Sequence, residues 1–113
     1  MRGLTVRWSL ADAPEGVAAE LRTYVAEASH AKFTGMAGLR FKTWRMRPGE
    51  WFEGTYVFAT DQARREFEES FRAEADTVPG SRIIGRPPEL IEAWGLIAIA
   101  EGADGFVEVR PPM

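Results

Sequence analysis

The stretch LRFKTWRMRPGEWFEGTYVF, residues 39–58, gathers most of the side chains that could do chemistry on a bound molecule. Lys42 is a compact cation that can hold an anionic substrate, and its pKa falls if burial strips it of water. The plainer reading, which the pattern favours, is a cross-strand pair with Glu53 or a neighbouring acid. Trp44 offers a flat stacking wall with an indole N–H, or else simple packing at an interface. Glu53 and Thr55 add polar groups to the same expected strand face. His30 is the only histidine, and an unperturbed pKa of about 6.5 suits a general base. Its place in the last turn of a helix favours a different role, complementing the helix dipole. Tyr24 falls on an apolar helical stripe and reads as core. Trp94 shares a strand face with Glu92 and completes a pocket if that face points away from the helices. One histidine and no cysteine fall short of a zinc or iron ligand set, so no metal is expected. No glycine-rich phosphate cradle is present.

The elements that must position these residues follow from periodicity. Residues 4–10 alternate apolar and polar and read as a strand. Asp12, with Glu15 three residues on and Pro14 between, predicts a helix start, followed by a stripe of Val17, Leu21, Tyr24, Val25 and Ala28. Residues 38–47 and 50–59 predict a hairpin turning at Pro48-Gly49. Thr60 or Asp61 caps a second helix with Ala63, Phe67 and Phe71 inward, ended by Val78-Pro79-Gly80. Residues 81–88 resist a regular element because Gly85 and Pro87-Pro88 interrupt them. Residues 89–100 predict a last long strand, 102–105 a turn, and 106–110 a short strand or arm. The order is βαββαβ, an α+β ferredoxin-like unit: a four-stranded antiparallel sheet with two helices on one face.

Counting back from the turn pairs Met46 with Trp51, Trp44 with Glu53, and Lys42 with Thr55. That register puts Lys42, Trp44, Glu53 and Thr55 on the face away from the helices. Two tryptophans in water make an oversized exposed patch, so a second copy is expected to cover it, leaving a ligand space between two sheets.

A chain of 113 residues fits a single domain, 1–113, with 102–113 as a possible C-terminal arm. A net charge of −3 and the split of Arg40 and Lys42 from Arg45 and Arg47 across a strand argue against nucleic acid. No apolar run reaches membrane-spanning length, the N-terminal residues lack a signal-type segment, and cysteine is absent. These features predict a cytoplasmic protein with no membrane partner.

Residues 38–71 resemble the YdhR-like mono-oxygenases of the dimeric α/β-barrel class. The features that carry the likeness are Gly38, Lys42 and Trp44 on one strand, Gly54, Tyr56 and Phe58 on the next, and the helix opening at Thr60-Asp61. Weaker similarity runs over 8–21 and 90–99. The resemblance implies a homodimer whose sheets close into a barrel with a pocket in each subunit. It also implies oxidation of a small aromatic or phenolic substrate by O2 without cofactor. In that setting Lys42 would stabilise a phenolate, His30 would be a candidate base, and Trp44, Glu53, Thr55 and Trp94 would line the substrate site. A non-catalytic protein that holds a small hydrophobic metabolite in the same pocket is the alternative.

Overall fold

In β1 (Gly3–Ser9) the alternation holds: Leu4, Val6 and Trp8 are buried under the helices while Gly3, Thr5 and Arg7 face the other way. The computed structural model describes residues 1–106. Its four strands form one antiparallel sheet in the order β2-β3-β1-β4, with β2 (Leu39–Arg47), β3 (Trp51–Phe58) and β4 (Leu90–Trp94). The architecture is α+β and consistent with a ferredoxin-like unit. Its core lies between one sheet face and the helices, built on Leu4, Val6, Trp8, Leu21, Phe52, Tyr56, Phe58 and Ile84.

The first helical rod starts later than Asp12 predicts. Asp12 has φ 60° and Gly16 φ 83°, and two left-handed residues cannot lie within a right-handed helix, so α1 runs Val17–Tyr24. It continues through one π turn, Val25–Ser29, into α2 (His30–Phe33). The π turn shifts the side chains that follow it around the rod. Turns of this kind are frequent at functional sites.

The expected cap of the second helix is present. Thr60 Oγ1 accepts the Ala63 N–H at 3.0 Å and opens α3 (Asp61–Ala73), whose Phe67 ring packs 4.8 Å from that of Tyr56. Residues 79–84, from the expected stop at Val78-Pro79-Gly80 into the start of the stretch 81–88 read as irregular, instead form a short helix, α4 (Pro79–Ile84). Pro79 is tolerated in its first turn, and the Gly85 N–H closes it on the Ser81 carbonyl at 2.8 Å. The breakers read in the sequence are its stop signals.

The last strand is shorter than 89–100. Its ladder with β1 ends at the pair Gly3↔Trp94, and Met1 turns away to an ion pair with Asp61. Among the described residues, 95–106 therefore have no strand to pair with, and Ile97 is fully exposed. The turn at 102–105 is made, the Gly105 N–H reaching the Gly102 carbonyl at 3.1 Å. The expected strand or arm of 106–110 lies, beyond Phe106, outside the described residues.

The hairpin turns where expected but in another register. Gly49 takes φ 80° and the Glu50 N–H bonds the Arg47 carbonyl at 2.9 Å, leaving a loop of residues 48–50. Arg47 then faces Trp51, Met46 faces Phe52, Trp44 faces Gly54 and Lys42 faces Tyr56. A one-residue shift moves every side chain of a strand to the other face. Lys42, Trp44 and Met46 thus lie under the helices, and the placement of Lys42 and Trp44 beside Glu53 and Thr55 is corrected. For β3 the expected faces hold. A bulge between Leu39 and Phe41 lets Leu39 also face the helices.

Candidate functional site

Between the sheet and the helices lies a cavity of about 120 Å³ whose lining includes Tyr24, Lys32, Phe33, Lys42, Trp44 and Tyr56. Each element contributes for a local reason. β2 brings Lys42 and Trp44 through its register, β3 brings Tyr56 two residues beyond Gly54, and the rod brings Tyr24 from one side of the π turn and Lys32 and Phe33 from the other. Gly54 leaves the space open. A Cβ there would stand 3.2 Å from Lys42 Cε and 3.4 Å from the Tyr56 hydroxyl, so side chain and hydroxyl converge on one point.

Lys42 Nζ sits 3.7 Å from the centre of the Phe33 ring, 4.5 Å from Tyr56 and 4.6 Å from Trp44. Among the described residues it has no hydrogen bond and no ion pair. Burial in this aromatic box, and after it the nearby charge of Lys32, holds its pKa well below the ordinary lysine value. Magnitudes explain the direction: cation–π attraction reaches about 2 kcal/mol, whereas desolvating an ammonium costs several. The Tyr56 hydroxyl is pushed up, by burial first and by Tyr24 second, so it stays protonated and can donate.

Trp44 is close to the role expected of it but is partly committed. Its Nε1–H donates to Ser29 Oγ at 3.0 Å, at the π turn, so only its ring face is left for a ligand. His30 is not in the cavity. Its ring lies 5.8 Å from that of Trp44, in an open groove along the β2 edge that also carries Phe41 and Phe106.

Glu53, Thr55 and Trp94 are on the opposite side of the sheet. Glu53 is 2% exposed and is held by Arg7 Nη2 at 2.7 Å, by Arg45 Nε at 2.8 Å and by the Thr55 hydroxyl at 3.2 Å. Burial alone would raise its pKa, but the hydrogen bonds from Arg45 and Arg7 outweigh that and hold it below the ordinary value. The expected Lys42–Glu53 pair is therefore overturned, because the two carboxylate oxygens are taken by arginines on the other face. Trp51 lies beneath the same two guanidiniums, at 4.5 and 5.4 Å. The last strand does turn Trp94 away from the helices, where its Nε1–H donates to Thr5 Oγ1 at 2.9 Å. The six candidates thus fall into two groups that a sheet separates.

Tyr24, read as core, Tyr56, noted only in the resemblance, and Phe33 and Lys32, not singled out at all, are cavity residues whose role sequence reasoning missed. One signal was available: of fourteen basic residues only Lys32 and Lys42 are lysines, and both line this cavity. Among the described residues no cluster of three His, Cys, Asp or Glu is placed to hold a metal, and no helix is long and apolar enough to cross a membrane.

Comparison of the chain with protein-family models, curated proteins and solved structures gave no match.

Proposed function

We propose that the cavity binds a small single-ring phenol and that the protein oxidises it with O2 without a resident cofactor. The observation that carries this reading is Lys42, an unpaired amine in an aromatic box that also holds a tyrosine hydroxyl. Lowering the pKa of the amine raises its free-base share, the form that accepts the phenolic proton. The ammonium so formed then pairs with the phenolate, giving the buried charge the partner it otherwise lacks. The phenolate passes one electron to O2, phenoxyl radical and superoxide combine into a ring peroxide anion, and the ammonium returns its proton to give a hydroperoxide that loses water. Overall, phenol and O2 give quinone and water. Trp44 and Phe33 supply the flat walls. The cavity of about 120 Å³ suits a single ring, since a dry apolar cavity of about 150 Å³ admits one benzene ring, and the wider groove that shares Lys42, Phe33 and Trp44 with it is its open side. The residue pattern of 38–71 that resembles the YdhR-like mono-oxygenases supports the same chemistry. His30, outside the cavity, is not given the base.

The reading includes a homodimer closed over the other sheet face. Trp51 and Trp94 stand there, and Ile97 and Ile99 are exposed just beyond β4.

The test is O2 uptake and quinone formation across a panel of single-ring and fused-ring phenols, with Lys42→Met alongside. Uptake confined to single-ring phenols and lost in the variant is expected. Phenol binding seen by tryptophan quenching, without O2 uptake, would leave a small-molecule binding protein instead. Sedimentation showing only monomer at micromolar concentration would remove the dimer.

A further inference from the structure

The chain uses arginine for twelve of its fourteen basic positions and keeps primary amines for Lys32 and Lys42, both at one cavity. An ion pair gains little from lysine over arginine, whereas bond formation to carbon needs an amine nitrogen. Lys42 meets the structural conditions for that reaction. Its Nζ is flanked by the rings of Phe33, Tyr56 and Trp44 at 3.7–4.6 Å in a half-buried position and is tied up by no acid among the described residues. A second cation, Lys32, lies near enough to disfavour its protonation. A lysine desolvated in an apolar pocket beside another cationic group is an activated nucleophile.

We infer that Lys42 forms a reversible imine with small aromatic aldehydes and ketones that enter this cavity, a covalent carbonyl site distinct in chemistry from phenol oxidation. The neutral Nζ adds to the carbonyl carbon, forming the C–N bond while the C=O π pair moves to oxygen. The nitrogen gives up a proton and the oxygen gains one, leaving a neutral carbinolamine. The Tyr56 hydroxyl, which converges with Lys42 on the Gly54 notch and remains protonated, is placed to donate to that oxygen. The nitrogen lone pair then forms C=N as the C–O bond breaks, and the departing hydroxide takes the remaining N–H proton to leave as water. Carbonyl compound and amine become imine and one water, with no change of oxidation state. The rings that would stack a phenol would stack an aryl carbonyl in the same way. The inference shares the cavity and the free amine with the proposed oxidation but needs no O2 and no quinone.

The experiment uses the full chain at pH 7 with benzaldehyde as probe and cyanoborohydride to reduce any imine, followed by intact mass and peptide mapping. The lysine map is simple, since the only competitors are Lys32 and the Met1 amine. One benzyl group on Lys42 is expected, forming about tenfold or more faster than on Lys32, because each unit by which the Lys42 pKa is lowered raises its free amine about tenfold. Lys42→Met should lose that adduct. The site assignment is read from the unmodified sequence, so it stands even if the variant folds poorly, and Lys42→Arg, which keeps a charge but forms no imine, gives a second control. No adduct, an adduct favouring Lys32 or the Met1 amine, or one retained in Lys42→Arg would overturn the inference. Because trapping needs no O2, it can succeed where phenol oxidation fails, and the reverse.

Discussion

Replacing Lys42 with methionine should make the protein more stable at neutral pH. Methionine keeps an unbranched stem of similar length and fills irregular apolar space well. What it removes is an amine among three aromatic rings with no acidic partner in the described residues. The folded state holds the lysine pKa well below its ordinary value through burial and Lys32, while the unfolded chain keeps about 10.4. Between those two values the unfolded state binds the extra proton, so wild-type stability rises with pH at about 1.4 kcal/mol per unit. The methionine variant lacks that slope. The gap between variant and wild type should thus be widest near neutrality and close as pH approaches about 10.4. Urea unfolding of both proteins at pH 7, 8 and 9, with m-values compared, reads the effect directly. In a domain near this size each kcal/mol also moves the midpoint of thermal unfolding by about 4–8 °C. A variant less stable than wild type at pH 7, or a gap that does not change with pH, would show that Lys42 is charged and well solvated, and the chemistry assigned to it would fail with it.

Glu53→Gln should destabilise by about 2–3 kcal/mol, below the 3–5 typical of a broken buried pair, because Arg45 and Arg7 are 56% and 32% exposed and water can take up part of the loss. The carboxylate's lowered pKa also means that its stabilisation is fully present above about 4.3 and is lost as pH falls through the folded value, so an acid titration of stability should flatten in the variant. An unchanged acid limb would show the clamp contributes nothing. Gly49→Val should cost about 1–2 kcal/mol, the penalty of a left-handed residue with a Cβ, since Gly49 has φ 80°. Equal midpoints for the two proteins would place the strain elsewhere.

Element order, the Thr60 cap and the inward faces of β1, β3 and α3 were legible because each rests on local pattern. The start of the first helix was not. Asp12, Pro14 and Glu15 carry the letters of a capping box, and only the backbone at Asp12 and Gly16 reveals a turn instead. The last strand was overread because an apolar run says nothing about whether a neighbour exists to pair with it. Residues 79–84 were underread because six residues are too few to show a period. Cavity residues from the rod, Tyr24 and Phe33, could not be told from core, since the same apolar stripe serves both.

The face of β2 was the decisive ambiguity, and its resolution bears on function. Alternation sorts Phe41, Thr43 and Arg45 from Lys42, Trp44 and Met46, but the turn decides which set meets the helices. A loop of 48–50 in place of the turn at 48–49 exchanges them. The bulge beside Arg40 then removes the remaining objection, because Leu39 can face the helices together with Trp44 and Met46. Burying those three apolar residues carries Lys42 to the same face with them. Register alone demands only some side chain at that point, and a methionine would satisfy it without desolvating an amine. A fold that places one of its two lysines there gives up stability at neutral pH that an apolar residue would supply. Such a trade is the pattern expected where activity depends on an unfavourable group held in position.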